Sequence, residues 1–523
     1  MKKHVAAFAA IAAAVSLLPG ISHASDNPAG CAADVAGGEW RSYGGSLNNN
    51  RNQTESTIDA AWVGAMEPDW VFSPAAAGLT GGFSNTPIVA DGCVYLGSNT
   101  GWIVSLNADT GTVNWAQKVS GSTQSALAGG AIIGSPVAYE GVLYVGVNKS
   151  PSPYLAAFDQ ASGTPLWQTL IEEGKGWAQL AASPVASDGM VFMGLTAGET
   201  DPAARGGYSI IEAGHDCGGD AFDGAVQITF CPNPVASATG GTRLVKEYTI
   251  NDVDYAAGYR GASVWCTAAI DPETKTVYAC GGNPASKKIE HRNSNSLLKI
   301  DFDRTSPTFG QIVDSYHGDT DQYYPGTDRQ PACDAFGDIA VAWSVTCLQL
   351  DLDFGASPML WKNAQGHTMV GDIQKSGVFH TLFTEGMTRA WTTIVGTPGI
   401  PFNAASPAYA VVGGEARVFM GATTPTVEHS LSAEGGRYRW ATPIGSPTHF
   451  NATSTANGLV YTVAGDGALH VMNASDGVPV AIRPLMQDTG ASTAESGSSG
   501  VALARNQIFA AQGQFVVAYA SGS

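Results

Sequence analysis

No Cys-x-x-Cys pair occurs anywhere in this chain, and no Cys-x-x-Cys-His, so the cysteines carry no metal-binding signature and no covalently attached c-type haem is encoded. Basic residues are also scarce. The 26 Lys and Arg stand against 45 Asp and Glu, a formal charge of −19, which argues against nucleic acid or an anionic membrane surface as partner and suits a basic protein partner. Charged residues make up only 14% of the sequence, yet 44% is apolar and 64 residues are glycine. That balance fits a turn-dense all-β protein rather than a disordered one. Beyond the N-terminus no apolar stretch is long enough for a membrane helix.

At the N-terminus, Lys2, Lys3 and His4 precede an apolar run from Val5 to Leu18, and Ser22-His23-Ala24 offers small residues for cleavage. This is the pattern of a secretory signal peptide over residues 1–24, too short to serve as a permanent anchor. The expectation is a chain exported to a bacterial periplasm and cut near Ala24, with residues 25–523 forming one domain and no membrane insertion.

What the chain has in abundance is a returning phrase. Thr86-Pro87-Ile88-Val89-Ala90-Asp91-Gly92-Cys93-Val94-Tyr95 is echoed at Ser135-Pro136-Val137 and again at Ser183-Pro184-Val185, a spacing near fifty residues. Each copy is a set of short β-branched and aromatic runs broken by turn residues, too small to bury its own apolar face. Units begin near Thr86, Ser135, Ser183, Thr267, Ala356, Ala405, Thr453 and Gly500, and Trp70-Val71-Phe72 is available as an outer strand for the last. The predicted fold is therefore an all-β, eight-bladed β-propeller. Tails such as Asn107-Ala108-Asp109-Thr110-Gly111-Thr112-Val113-Asn114-Trp115 and Phe158 to Trp167 read as a tight turn followed by a tryptophan that lies flat between blades, as does Trp440 in a degenerate copy.

Eight cysteines in an exported chain are disulfide candidates. Cys217 with Cys231, Cys266 with Cys280, and Cys333 with Cys347 share one separation, and Cys31 with Cys93 remains. Cys266 and Cys280 lie nearly symmetrically about the turn Asp271-Pro272-Glu273-Thr274-Lys275, where a hairpin lets them face each other.

These phrases, repeated as "SPVVADGVVYVG…LDAxTGxxxW", resemble the quinoprotein alcohol dehydrogenases that bind pyrroloquinoline quinone (PQQ). Trp40-Arg41-Ser42-Tyr43-Gly44-Gly45-Ser46-Leu47-Asn48-Asn49-Asn50-Arg51 looks like that family's N-terminal segment. The resemblance implies a site. Met193 to Glu199 is similar to the strand that ends in a calcium-binding glutamate, implying Glu199 as metal ligand, with Thr196, Ala197 and Gly198 beside the cofactor. Ala279-Cys280-Gly281-Gly282-Asn283-Pro284 resembles a "GTGNP" segment whose asparagine donates an amide oxygen to the ion, here Asn283. Trp265 stands where the family has an indole under the quinone ring. Leu350 to Pro358 resembles the element bearing the catalytic aspartate, matched to Asp353, which also ligates the metal, and Lys375 corresponds to a cation near the quinone oxygens.

Such a set suits the chemistry. Calcium prefers hard oxygen donors, and Glu199, Asn283 and Asp353 leave room for oxygens of the cofactor itself. Gly355, where lanthanide-using relatives carry another aspartate, favours calcium. The implied activity is PQQ- and calcium-dependent oxidation of a secondary or polymeric alcohol, with Asp353 as base and a separate soluble cytochrome c as electron acceptor. The chain also departs from the family. It has no adjacent cysteine pair, Ala181 replaces a hydroxyl residue, and Leu352 replaces a tryptophan, a combination closest to the polyvinyl alcohol dehydrogenase branch. Each residue has an ordinary alternative too: Asp351 and Asp353 as turn carboxylates, Asn283 as a turn former, Glu199 as a solvated loop residue, Trp265 as a disulfide cover, Lys375 as a surface lysine. The competing function is a non-catalytic propeller that binds proteins or ligands.

Overall fold

The computed structural model describes residues 31, 35–119, 130–198, 201, 203–214, 240–285, 291–319, 351–398, 402–446, 450–492 and 500–522. The signal-peptide residues, Glu199, and the pairs Cys217/Cys231 and Cys333/Cys347 lie outside them.

Short β-prone runs joined by two-residue turns make antiparallel meanders. Asp91-Gly92 and Asp188-Gly189 both place two successive residues at positive φ (51° and 78°, 51° and 68°), the geometry that turns a twisted hairpin tightly. Eight small sheets result, each built mainly from strands consecutive in sequence. They are blade 1 (88–118), blade 2 (137–170), blade 3 (185–248), blade 4 (269–317), blade 5 (359–394), blade 6 (408–443), blade 7 (454–484) and blade 8 (502–521). Blade 8 gains its outermost strand, Met66–Phe72, from the other end of the chain, antiparallel to Phe515–Ser521. The eight-bladed propeller and this closure are as expected. Inner strands such as Ile88–Ala90 and Cys93–Gly97 are buried throughout, whereas the outer strand Val113–Lys118 is half-exposed or exposed.

The tryptophans weld blade to blade. Indole N–H groups of Trp70, Trp115, Trp167, Trp391 and Trp440 donate to backbone carbonyls of the next blade, at Ala108, Gln160, Gly214, Ala433 and Ala474, over 2.9–3.2 Å. Four of these rings lie against a turn glycine. A Cβ on Gly163 would come within 2.4 Å of Trp115, and Gly111, Gly436 and Gly477 meet Trp70, Trp391 and Trp440 in the same way.

Around the axis runs a belt of hydroxyls. The backbone N–H of Ser135 donates to Ser183 Oγ, that of Ser183 to Thr267 Oγ1, that of Thr267 to Ser357 Oγ, and that of Ser357 to Ser406 Oγ, all within 2.9–3.1 Å. Gly500 N–H closes onto Thr86 Oγ1 at 3.1 Å. The repeated Ser or Thr, before proline at every belt position named except Thr267, is thus a blade-to-blade linker, which explains its recurrence.

One end of the axis is sealed by the N-terminal strap, residues 38–53. Its carbonyls at Gly38, Trp40, Arg41, Leu47, Asn48, Asn50 and Arg51 accept N–H groups of Arg505, Val89, Ala138, Ile270, Leu360, Tyr409 and Thr455, so seven of the eight blades are bonded to it. Arg51 is buried at its centre, stacked 4.8 Å from the Tyr43 ring and 5.4 Å from Trp40, with its guanidinium on the carbonyls of Thr453 and Tyr43. Disulfides Cys31–Cys93 and Cys266–Cys280 are formed. No helix among the described residues is long and apolar enough to cross a membrane.

Candidate functional site

Above the strap, the axis holds a cavity of about 170 Å³. Successive blades contribute the residue two places before the belt hydroxyl: Ser84, Ile133, Ala181, Trp265, Gly355 and Ala404 all line it. Five of these are small or aliphatic, and one is an indole. Tyr43 of the strap also lines it and donates from its hydroxyl to Ser406 Oγ at 2.8 Å. The lining is predominantly apolar with hydroxyls at one level, a form suited to a flat organic ligand.

Trp265 ties this cavity to a charged cluster. Its indole N–H donates to Asp353 Oδ2 at 2.7 Å. Asp353, fully buried, forms an ion pair with Lys375 through Oδ1 at 2.5 Å, and Lys375 also reaches Asp351 Oδ1 at 2.8 Å. The ammonium lies 4.9 Å from the Trp265 ring and 4.8 Å from Phe402, within cation–π range. Phe450 stands edge-on to Trp265, with ring centroids 5.9 Å apart.

The local fold explains this convergence. Lys375 sits on the turn between the second and third strands of blade 5, and its N–H donates to Asp353 O at 3.1 Å, so the approach to the first strand is bound to that turn. Asp319 clamps the turn further. It exchanges backbone and side-chain hydrogen bonds with Gln374 at 2.7 Å and accepts from Ser376 Oγ at 2.6 Å. Its pKa is held low by His380, whose Nε2 lies 3.7 Å from Oδ2, against the opposing cost of burial, and by the Ser376 hydroxyl.

Asn283 follows the second strand of blade 4 and donates from Nδ2 to Asp351 Oδ1. Its other side-chain atom, Oδ1, is buried without a hydrogen-bond partner among the described residues. Ser263 holds this segment against blade 3: its Oγ accepts from Ala197 N at 2.9 Å, and its carbonyl accepts from Gly282 N at 2.7 Å. Thr196 and Ala197 therefore end their strand, and Gly198 follows it, beside Gly282 and Asn283 rather than in the lining of the cavity. Thr196 Oγ1 is buried and lacks a partner among the described residues as well.

The structure thus brings Trp265, Asp353, Lys375 and Asn283 into one connected network. Glu199 lies outside the described residues, and among those described no group of three or more His, Cys, Asp or Glu side chains gathers. The donors that are present do fit a hard cation. Two carboxylates face one ammonium, and an orphaned amide oxygen has no donor among the described residues to satisfy it. Gly355 is fixed sterically: a Cβ there would lie 2.9 Å from Ala404 Cβ and 3.0 Å from Trp265 Cη2. Ala181 does line the cavity, and Ser183, which lines it too, spends its hydroxyl on the belt. Sequence reasoning passed over Asp319, Phe402 and Phe450. Tyr43 lies within the Trp40 to Arg51 segment, but nothing in the sequence alone puts its ring against a cavity.

A family model described as outer membrane protein assembly factor BamB matches residues 48–205. The chain is 22% identical over 467 residues to a polyvinylalcohol dehydrogenase of Pseudomonas sp, covering 84% of this chain and 66% of that protein. It is 22% identical over 359 residues to the polyvinylalcohol dehydrogenase of Sphingopyxis sp. (strain 113P3), covering 66% and 49%. The chain therefore spans between about half and two thirds of these relatives' lengths. Among solved structures, a quinohemoprotein alcohol dehydrogenase from Pseudomonas putida HK5 superposes with a TM-score of 0.65 at 13% identity, over 93% of this chain and 81% of that one. In fold, the chain is an eight-bladed propeller similar to that of the quinoprotein alcohol dehydrogenases. In sequence, it is similar over most of its length to the polyvinyl alcohol dehydrogenases among them.

Proposed function

We propose that this chain is a periplasmic alcohol dehydrogenase dependent on PQQ and calcium, oxidising a secondary or polymeric alcohol of the polyvinyl alcohol kind and passing electrons to a separate cytochrome c. The observation that carries the reading is the contact of Trp265, a wall of the axial cavity, with the buried Asp353–Lys375 pair. The similarity to polyvinylalcohol dehydrogenases supports the substrate class. The acidic charge supports docking of a basic cytochrome.

In this reading the quinone ring lies against Trp265 in the axial cavity, whose lining Gly355 and Ala404 keep free of bulky side chains, and Asn283 and Asp353, with Glu199, hold the calcium. Bound there, the pair supplies a carbonyl polarised by a Lewis acid, whose carbon is electron-poor enough to take hydride. The residues of the chain do the rest. Asp353 removes the hydroxyl proton of the alcohol as its carbinol hydrogen departs. Lys375, already paired with two carboxylates, keeps positive charge beside the quinone oxygens, where negative charge develops. Phe402 and Phe450 flank the site with apolar surface that excludes water.

Reconstitution of the purified protein with calcium and PQQ is expected to give dye-linked oxidation of alcohols, and Asp353→Ala to lower turnover by about 10³-fold or more. Failure with primary, secondary and polymeric alcohols alike would leave the non-catalytic binding propeller as the better reading. Loss of turnover in Asp351→Ala but not in Asp353→Ala would move the base two residues upstream.

A further inference from the structure

We propose that Asp351 is a positioning residue that turns the Asn283 amide so that its oxygen, not its nitrogen, is offered to the cation. This inference rests on the calcium reading and extends it to a residue with no role there. A carboxylate only accepts hydrogen bonds. The contact between Asp351 Oδ1 and Asn283 therefore requires Nδ2 at Asp351, which points Oδ1 the other way. That oxygen is buried and has no partner among the described residues, a state that costs free energy unless something positive lies against it. An amide oxygen is a proper calcium donor, while an amide nitrogen repels the ion.

Asp351 is itself held in place for this task. Its backbone adopts φ of 51°, and Lys375 Nζ, on a side chain 4% exposed, bonds the same Oδ1 at 2.8 Å. The backbone of Asn283 needs no such help. Its carbonyl accepts from Ala262 N at 2.9 Å, and Gly282 N donates to Ser263 O at 2.7 Å, so the turn is pinned independently of the side chain. The Asp351 contact is left to govern the amide alone.

The test uses full-length protein titrated with Tb³⁺ alone, reading the luminescence sensitised by Trp265, identified as the component lost in Trp265→Phe. Asp351→Gly removes the carboxylate at a backbone conformation that glycine accepts without strain, and Asp351→Asn keeps an accepting oxygen while removing the charge. The inference expects Asp351→Gly to weaken Tb³⁺ binding about tenfold or more, with one more bound water by lifetimes in H₂O and D₂O, and Asp351→Asn to stay within about threefold of the parent. Equal weakening in both variants would mean that only the charge matters, and the inference fails. Unchanged binding in both also overturns it. Absence of Trp265-sensitised binding in the parent protein would instead bring down the calcium reading, and the inference with it.

Discussion

Glu428 of blade 6 is fully buried, with Oε1 accepting from Thr453 Oγ1 at 2.9 Å and Oε2 unpartnered among the described residues. Burial pushes its pKa from 4.5 up to about 8. The folded state therefore keeps a proton that the unfolded chain gives up above about pH 4.5, so the contribution of this residue to stability is fullest below that pH and falls as pH rises towards about 8. Relative to Glu428→Gln, the parent is expected to lose a few kcal/mol across that window, read as diverging melting temperatures between pH 4.5 and 8. Parallel curves would refute it. A second residue-scale expectation concerns Gly355, whose Cβ would collide with Ala404 and the Trp265 ring. Gly355→Ala is expected to tilt the indole and weaken PQQ binding about tenfold, measured by quenching of tryptophan fluorescence, while the melting temperature shifts little. At this scale the residue types were legible in the sequence, since Trp265, Asn283, Asp353 and Lys375 follow a known motif order. Their hydrogen bonds were not, because each partner comes from a remote stretch: Trp265 and Asp353 are 88 positions apart.

Elements are welded by indoles laid on turn glycines, and this packing is separable from backbone strain. Gly163 and Gly189 both have φ near 70°, but a Cβ on Gly163 would strike Trp115 at 2.4 Å, whereas one on Gly189 meets nothing within 4 Å. Gly189→Ala is expected to cost about 1 kcal/mol, the penalty of the left-handed conformation alone, and Gly163→Ala at least twice that, by denaturant unfolding. Similar costs would show that the ring contact adds nothing. The unit starts at Thr86, Ser135, Ser183 and Thr267 were readable because a repeat writes its hydrophobic period and turn chemistry locally. Two additions escaped that logic. Ala178–Gln179 pairs with Thr196 and Ala197 at the end of a blade 3 strand, a two-residue element too short to show a period, and Asn52–Gln53 pairs in parallel with Thr455 and Ala456 of blade 7, a strand remote in sequence.

In the whole molecule, closure depends on joining the two ends of the chain. Met66–Phe72 supplies the outer strand against Phe515–Ser521, and the strap crosses the axis to bond seven blades. Removing residues 514–523 should open the ring between blades 8 and 1, lower the melting temperature and broaden the calorimetric transition, while the same deletion supplied with a peptide of that sequence should recover part of the loss. A sharp, unshifted transition would mean that the strap alone closes the ring.

The sequence by itself determined the repeat, the number of blades, the outer strand that closes the last one, and the hairpin disulfide Cys266–Cys280, because these follow from short-range periodicity and turn residues. Only the tertiary structure decided that Tyr43 lines the axial cavity, that Asp353 is sealed between an indole and an ammonium, and that the Asn283 amide donates to Asp351. Those relations join the strap, blade 4 and blade 5 across long stretches of sequence, and packing of neighbouring blades around the axis brings them within bonding distance.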